Sequence, residues 1–219
     1  MQSEMKTEGV LSANGRLSEL RESLCERFEQ LWPGKREALV FGEGPVNPRL
    51  MLIGEAPGEQ ETLMHRPFVG KAGKNLDHFL MLSGLLREEI YITNVVKIRP
   101  TKTGKSGRIS NRPPNREELA FFVPELLREI EIVAPDMIAV LGNTPLHALA
   151  GKGVMIGEVH GRLVPIADTE RTCFALYHPA SLIYNPGLRE VYEADIRTLA
   201  DVLSKKSAGS EQLESKERE

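Results

Sequence analysis

Three short stretches of this chain carry the side chains best suited to chemistry. The first covers residues 54–61 and continues at 66–70, the second covers 93–97, and the third covers 177–182. Together they supply carboxylates, an aromatic ring, a side-chain amide and an imidazole. Such groups can stack on a planar ring, read its hydrogen-bonding edge and stabilise charge as a bond breaks. The combination indicates a site that grips a nucleobase and cuts it off.

Each stretch follows a short apolar run of the kind found in buried parallel strands. Residues 163–166 contain Pro165 and suit an edge strand instead, because proline cannot donate to a ladder. Ligands collect at the carboxyl ends of parallel strands, so we expect the polar residues just past these ends to meet on one rim. The predicted strands cover residues 50–53, 90–93, 137–141 and 173–177, and the polar residues are Glu55, Asn94, Asn143 and His178.

Apolar residues at helical spacing lie between and around the strands. Asn115 and Asn143 are plausible N-caps, and Pro124 predicts a kink or a later helix start. The alternation of strands and helices predicts an α/β fold, a three-layer αβα domain with a central, mostly parallel four-stranded sheet. The predicted helices cover about residues 17–31, 75–85, 117–133 and 188–203.

Composition bounds the class of protein. The 219 residues are 41% hydrophobic and 5% aromatic, which suits one domain with an aliphatic core. We expect that domain at 15–204, between a disordered N-terminus at 1–14 and a disordered charged tail at 205–219. Cys25 and Cys173 form no metal-binding pattern, and no apolar run approaches the ~20 residues of a membrane span. A cytoplasmic protein without metal or organic cofactor is therefore expected.

The glycine turn at residues 54–58 could point backbone N–H groups into a pocket. Taken alone, an ordinary strand-to-helix turn is an equally good interpretation, and carboxylates such as Glu55, Glu59 and Glu61 commonly form a solvated face. Phe68 favours the pocket, because an aromatic residue held between proline and a glycine-containing turn could form a plate for a base. A lone Phe68 would more often belong to the core.

Asn94 and His178 are the candidates for reading and polarising a base. Asn94 could simply cap the next segment, but its amide also matches the O4 and N3–H edge of uracil, which cytosine presents with donor and acceptor exchanged. His178 follows a buried strand and precedes proline, which favours an extended backbone. A lone histidine is commonly structural; this one lies on the predicted rim. The other histidines are assigned to structure or surface: His65, His78, His147 and His160.

Residues 97–116 carry a strong local charge. They hold seven Lys or Arg and no Asp or Glu, so seven minus none gives +7 in a chain of net charge −3. Their glycines and prolines predict a flexible loop beside the Asn94 rim. A solvated surface loop is the alternative, but we favour phosphate binding. The charged residues are Lys97, Arg99, Lys102, Lys105, Arg108, Arg112 and Arg116.

With these residues in hand, the chain resembles the uracil-DNA glycosylase superfamily, and most closely its family 4, thermophile-type branch. The resemblance runs from about residue 40 to about residue 202. It is carried, in this order, by Gly-Glu-Ala-Pro-Gly with Arg-Pro-Phe-Val-Gly-Lys-Ala-Gly, by Asn-Val-Val-Lys and by His-Pro-Ala. It implies a monomeric DNA repair enzyme that flips uracil out of single- or double-stranded DNA and hydrolyses its N-glycosidic bond, leaving an abasic site.

The resemblance also implies roles for individual residues. Glu61 would position water or stabilise the sugar cation, with Glu55 as a second contributor, and His178 would stabilise negative charge leaving on uracil O2. The base would be held by Ala56, Phe68 and Asn94. DNA would be contacted by Lys97, Arg99, Lys102, Lys105, Arg108, Arg112, Ser181 and Leu182, with Leu182 as the wedge that enters the duplex.

Three departures from the superfamily patterns carry consequences. Family 4 members typically bind a four-iron cluster through four cysteines, but Ile98 and Phe122 stand at the two clear ligand positions, so packing is expected to replace the metal. Ala56 stands where the classical branch has a catalytic aspartate. Ser110 replaces the histidine with which a related branch forms a covalent adduct, so turnover by water is expected.

Three alternatives remain open at this point. The chain could be a glycosylase for another deaminated base, such as hypoxanthine or xanthine. It could be a catalytically inactive, nucleic-acid-binding relative, although phosphate binding needs none of Glu61, Asn94 and His178. It could be a nucleotide-binding hydrolase, but the glutamates around residues 54–58 suit phosphate poorly.

Overall fold

The computed structural model describes the backbone of residues 2–216, and their side chains apart from those of residues 2–11, 37, 183 and 207–216. Its central sheet has five strands: β1 (Met51–Gly54), β2 (Tyr91–Asn94), β5 (Ile138–Leu141), β6 (Leu163–Pro165) and β7 (Thr172–Leu176). They are ordered β2-β1-β5-β7-β6, while β3 (Thr101–Thr103) and β4 (Ile109–Asn111) form a separate two-stranded sheet.

Four strands of the central sheet run parallel, as predicted. Met51 is in register with Tyr91 on one side and with Ile138 on the other, and Ile138 pairs with Cys173. Strand β6 is antiparallel to β7 at the edge, where Pro165 was expected. Strands β1, β2 and β5 are buried along their whole length, as parallel strands with both faces covered must be.

Eight α-helices accompany the strands within the described range. Alternate residues of β1 belong to different hydrophobic cores, because successive side chains point to opposite faces. Met51 and Ile53 pack with the helices of one core, whereas Leu52, and Leu50 just before the strand, pack with those of the other. The helices are α1 (Gln2–Leu31), α2 (Glu59–Met64), α3 (Lys71–Ser83), α4 (Arg116–Val133), α5 (Asn143–Ala150), α6 (Ile156–Val159), α7 (Ser181–Tyr184) and α8 (Arg189–Lys216).

The first core lies under α1, α4 and α5, and the second lies under α3 and α8. This is the predicted three-layer arrangement. Both α1 and α8 extend into the segments predicted to be disordered, 1–14 and 205–219, so the boundaries of the independently stable domain stay a prediction. No helix within residues 2–216 is both long enough and apolar enough to cross a membrane.

The predicted caps differ in outcome. Asn115 caps α4: its side chain accepts the Glu118 N–H at 2.8 Å, and the Glu118 carboxylate accepts the Asn115 N–H at 2.7 Å. Helix α4 continues through Pro124. Asn143 is not a cap but the first residue of α5, and its side-chain oxygen accepts the N–H of Ile156 at 2.8 Å instead.

The basic segment is a β-hairpin and not the irregular loop that its glycines suggested. Lys102 is in register with Ser110, and the Gly104 N–H donates to the Arg108 carbonyl at 2.9 Å. Gly107, with φ of 76°, supplies the left-handed residue that the turn requires. The alternating threonines of β3 favour an extended strand. The nearby glycines favour a loop, which is the conformation predicted from the sequence.

Candidate active site

A cavity of about 410 Å³ opens at the carboxyl ends of β1, β2 and β7. Parallel strands bring their carboxyl ends to one edge. Of the four polar residues expected there, Asn94 and His178 line the cavity, whereas Glu55 and Asn143 do not. The predicted residues that line the cavity are Ala56, Glu61, Phe68, Asn94, Arg99 and His178.

Glu61 ties the first motif together. Its carboxylate accepts three backbone N–H groups: those of Val69 and Gly70 on Oε1, at 3.0 and 2.6 Å, and that of Gly58 on Oε2, at 3.1 Å. The first two bonds close the loop that carries Phe68, and the third is the capping box of α2. The side chain is 8% exposed and lines the cavity, so it holds the loop and faces the site at once.

The Phe68 ring is fixed by a constrained backbone. Phe68 has φ of 53°, an uncommon conformation for an aromatic residue. Its carbonyl lies so close to Gly73 that any side chain there would overlap it, and Arg87 donates to the Pro67 carbonyl at 2.7 Å. Arg87 is itself paired with Glu43 at 2.9 Å. These contacts hold the ring at the wall of the cavity.

Asn94 ends β2 and presents an unused amide. It is buried, and its side chain makes no hydrogen bond with any residue that the structure describes. A Cβ at Gly54, the last residue of β1, would overlap Asn94 Oδ1 and lie 2.6 Å from Phe68 Cζ. Only glycine therefore lets the amide and the ring stand side by side. The amide lines the cavity, so a ligand bound there can use its donor and its acceptor.

His178 is held as a neutral hydrogen-bond donor. Its Nδ1 accepts the N–H of Ala180 at 3.1 Å, so in the neutral ring the proton sits on Nε2. Burial lowers the pKa of His178 to about 4, against the opposing charge of Glu61. The loop is anchored by Asn75, which donates to the Pro179 carbonyl at 2.8 Å.

The Phe68 and His178 rings are 6.0 Å apart between centroids, with 29° between their planes. A base stacked between two rings would need about 6.8 Å, twice the ~3.4 Å spacing of stacked bases. The gap between the two rings is therefore too narrow for a base, and a base stacked on Phe68 would have His178 at its edge. This arrangement can grip a planar ring and polarise one of its carbonyls.

Two residues expected at the site are directed elsewhere. The Glu55 carboxylate accepts a hydrogen bond from the Thr144 hydroxyl and does not line the cavity. Leu182 is 8% exposed and belongs to the core under α3 and α8, so the structure does not present it to DNA, and its role as a wedge stays a prediction. Leu182 falls on the inward side of the short helix α7, which the His-Pro-Ala pattern did not predict. Ser181, the first residue of that helix, is half-buried.

Among the expected phosphate ligands, Lys97 is buried, and the prediction that it contacts DNA is wrong. It is 2% exposed, and its ammonium donates to the Glu129 carboxylate at 2.6 Å. Arg99 lines the cavity and bridges Glu59, at 3.1 Å, to Asn111 on the hairpin, at 2.8 Å. Arg112 is paired with Glu118 at 2.6 Å. Of the cations expected to contact DNA, Lys102, Lys105 and Arg108 are exposed and form no ion pair with any described residue.

Tyr184 is a site residue that the sequence reasoning missed. It closes α7, lines the cavity mouth and is 87% exposed. An aromatic side chain in a loop of an aromatic-poor chain was the signal that could have found it. Asn111 also lines the cavity from the hairpin, where Arg99 holds it.

The residues present do not fit a four-cysteine iron cluster. Cys25 lies on α1 and Cys173 is buried in β7, and no group of three potential metal ligands occurs among the described residues. Phe122, at one family ligand position, packs in an aromatic cluster whose neighbouring centroids are 4.9–6.0 Å apart. The cluster consists of Phe28 from α1, Trp32 directly after that helix, and Phe121 and Phe122 from α4.

Known proteins are similar in sequence to this chain over most of its length. The pattern of the Uracil DNA glycosylase superfamily matches residues 41–200. A type-4 uracil-DNA glycosylase of Saccharolobus solfataricus is 39% identical, over 83% of this chain and 83% of that protein. Proteins of the same name from Archaeoglobus fulgidus and Thermotoga maritima are 35% and 38% identical, covering 76% and 78% of this chain and 83% and 85% of their own. With this similarity and the geometry of the cavity, the chain belongs to the uracil-DNA glycosylase superfamily.

Proposed function

We propose that this chain is a DNA repair enzyme that removes uracil from DNA by hydrolysing the N-glycosidic bond. The observation that carries the proposal is the meeting of the Phe68 ring, the free Asn94 amide and the Nε2–H of His178 around one cavity. The relatives named type-4 uracil-DNA glycosylases support it, because they match most of the chain.

Recognition of the base follows from the three side chains. A uracil stacked on Phe68 presents O4 and N3–H along one edge, an acceptor beside a donor. The Asn94 amide supplies the complementary donor and acceptor, and no contact in the described structure competes for them. Cytosine has N4–H₂ and an unprotonated N3 at the same edge, so an amide held in the orientation that suits uracil would reject it.

Bond cleavage places negative charge on the departing base. The C1′–N1 bond breaks with both electrons going to uracil, and the sugar becomes an oxocarbenium-like cation. Charge on uracil collects at O2, where the neutral His178 donates from Nε2. A preorganised donor of this kind contributes roughly 3 to 4 kcal/mol of transition-state stabilisation. No metal or organic cofactor enters the step.

Glu61 has one acceptor position left for water. A carboxylate offers about four lone pairs, and three are used by backbone N–H groups, two on Oε1 and one on Oε2. The remaining position on Oε2 can accept a hydrogen bond from the water that adds to C1′. That water loses a proton and the uracil anion takes one up, so the products are neutral uracil and the abasic site. Ala56 offers no carboxylate, and Glu55 is bonded to Thr144, so we assign water alignment to Glu61.

DNA binding extends from the cavity to the hairpin and to α7. Lys102, Lys105 and Arg108 are free to pair with phosphates. Tyr184 replaces Leu182 in the proposed role of stacking in the gap that the flipped base leaves, because Tyr184 is the exposed apolar side chain at the mouth. We further propose that the protein works in the cytoplasm as a monomer, on uracil in single- or double-stranded DNA.

One assay tests the proposal. Purified protein is incubated with oligonucleotides that carry one uracil, hypoxanthine or xanthine, and abasic sites are then cleaved with alkali. We expect cleavage at uracil, and slowing by about 10²-fold or more in Asn94→Ala and His178→Ala without loss of DNA binding. Cleavage only at hypoxanthine or xanthine would assign another base to the same site. If the protein binds DNA but cleaves none of the oligonucleotides, it is a catalytically inactive relative of the glycosylases.

A further inference from the structure

Directly beneath Asn94 lies a buried ion pair whose cation holds the backbone of that residue. The Lys97 ammonium donates three hydrogen bonds: to Glu129 Oε2 at 2.6 Å, to the Thr93 hydroxyl at 2.6 Å and to the Asn94 backbone carbonyl at 2.8 Å. These use all three donors of the ammonium group. Lys97 is 2% exposed and Glu129 is 3% exposed, so the pair is shielded from solvent.

Glu129 is fixed in turn by the strand next to it. Its carboxylate accepts the Tyr91 hydroxyl at 2.9 Å and the Thr93 hydroxyl at 3.2 Å. Burial lowers the pKa of the Lys97 ammonium, and the Glu129 charge opposes that effect. The carboxylate of α4 is thus connected to the end of β2 through one lysine.

Stability alone is a weak reason for such a pair. Removing two charges from water costs several kcal/mol per ion, and apolar side chains of similar volume often stabilise a fold equally well. What the apolar replacement lacks is a donor to the Asn94 carbonyl. The pair therefore does something at this position that hydrophobic packing cannot do.

We propose that Lys97 and Glu129 position the Asn94 amide for base recognition, an inference that rests on the proposed function. Asn94 is held between two fixed surfaces: the Lys97 donor on its carbonyl and the Cα of Gly54, where even a Cβ would collide with Oδ1. Rotation of the Asn94 peptide would swing the amide off the uracil edge. A displacement of about 1 Å at a positioning residue is enough to slow an enzyme by ~10²-fold.

The test uses an uncharged pair, Lys97→Met with Glu129→Gln, because removing only one partner would leave a buried charge and endanger folding. Single-turnover rates of uracil release are measured with the protein in excess, at several protein concentrations. We expect a saturated rate about 10²-fold below that of the parent and an unchanged half-saturating concentration. The matched control is Glu125→Gln, another buried α4 carboxylate, which is paired with Arg27 at 2.7 Å. It should lose stability and keep the saturated rate.

A double-mutant cycle decides whether the pair acts through Asn94. In an Asn94→Ala background, the uncharged pair should change the saturated rate by no more than about twofold, because there is no amide left to misplace. Full slowing in that background, or a lowered melting temperature with a parental rate, would overturn the inference while the proposed function stands. A parent protein that releases no uracil would overturn the proposed function and, with it, this inference.

Discussion

The N–H of Ala180 donates to Nδ1 of His178 at 3.1 Å, and this bond determines which nitrogen of the ring faces the cavity as a donor. The two residues are separated only by Pro179, which cannot donate a backbone hydrogen bond of its own. An imidazolium would bring an N–H on Nδ1 against the N–H of Ala180. The backbone therefore favours the neutral ring independently of burial.

The first prediction concerns the pH dependence of uracil release. With the pKa of His178 at about 4, the ring keeps its neutral, Nε2-protonated form from pH 8 down to about pH 5. The saturated single-turnover rate should be flat over that range and change only near pH 4. The rate is measured at half-unit intervals with the DNA substrate fixed. A titration of activity centred near pH 6.5 would contradict the assignment.

The same shift predicts a loss of stability in acid. In the unfolded chain His178 takes up a proton below its ordinary pKa of 6.5, whereas the folded protein resists protonation down to about pH 4. The unfolded state then binds more protons, so the free energy of unfolding falls as the pH drops from 7 to 4. His178 contributes roughly 3 kcal/mol of that fall. Denaturant unfolding of the parent and of His178→Gln at both pH values isolates this contribution, since glutamine does not titrate.

The second prediction tests the close approach at the end of β1. Gly54→Ala would place a Cβ 2.6 Å from Phe68 Cζ and against Asn94 Oδ1. We expect a cost of about 1–3 kcal/mol in unfolding free energy and a fall of about 10²-fold in uracil release. Gly153→Ala, where nothing lies within 4 Å of the new carbon, is the control. Full activity in Gly54→Ala would mean that the amide and the ring need not be adjacent.

The third prediction separates Leu182 from Tyr184. Leu182→Ala should lower the free energy of unfolding by about 2–5 kcal/mol, because it empties a core position. Tyr184→Ala should change that free energy by no more than ~0.5 kcal/mol. It should slow excision from duplex DNA more than from single strands, which need no gap filled, and Tyr184→Phe should restore the rate. The opposite pattern, with Leu182→Ala stable and selectively slow on duplex DNA, would return the wedge to Leu182.

The fourth prediction concerns the hairpin cations. Each phosphate contact that is lost lowers the slope of log binding constant against log salt by about 0.9 on duplex DNA. Replacing Lys102, Lys105 and Arg108 with glutamine should therefore reduce the slope by up to ~3. Lys152→Gln, an exposed cation outside the proposed DNA path, serves as the control. An unchanged slope in the triple variant would remove the hairpin from the DNA-binding surface.

The sheet was predictable because its signals are local and agree with one another. The apolar runs of β1, β2, β5 and β7 are short and end at glycine or polar residues, and Pro165 marked the edge. The hairpin was not predictable from the sequence, because the threonines of β3 favour a strand while Gly104 and Gly107 favour a loop. Only the Gly104–Arg108 backbone bonding, which joins residues across the turn, resolves the conflict.

The site was predictable to the extent that side chains follow strand ends. Asn94 and His178 sit at such ends, and the fold class brings them to one cavity. Lys97 could not be placed, because its charge matched the surface cations beside it and the partner that buries it, Glu129, lies on a distant helix. The burial of Leu182 depends on which side of α7 faces inward. A helix of one turn is too short for the spacing of its apolar residues to reveal that side.

The aromatic cluster on α1 matters beyond its own packing. Arg21, on the same helix, donates to the Gly42 carbonyl at 2.7 Å and to the Tyr91 hydroxyl at 3.4 Å, beside the carboxylate that anchors Lys97. Detachment of α1 would admit water to the charges below the base pocket. Helix α1 thus excludes solvent from the ion pair that holds Asn94. Heating that loosens its aromatic contacts should lower the selectivity for uracil at a temperature below that at which the sheet unfolds.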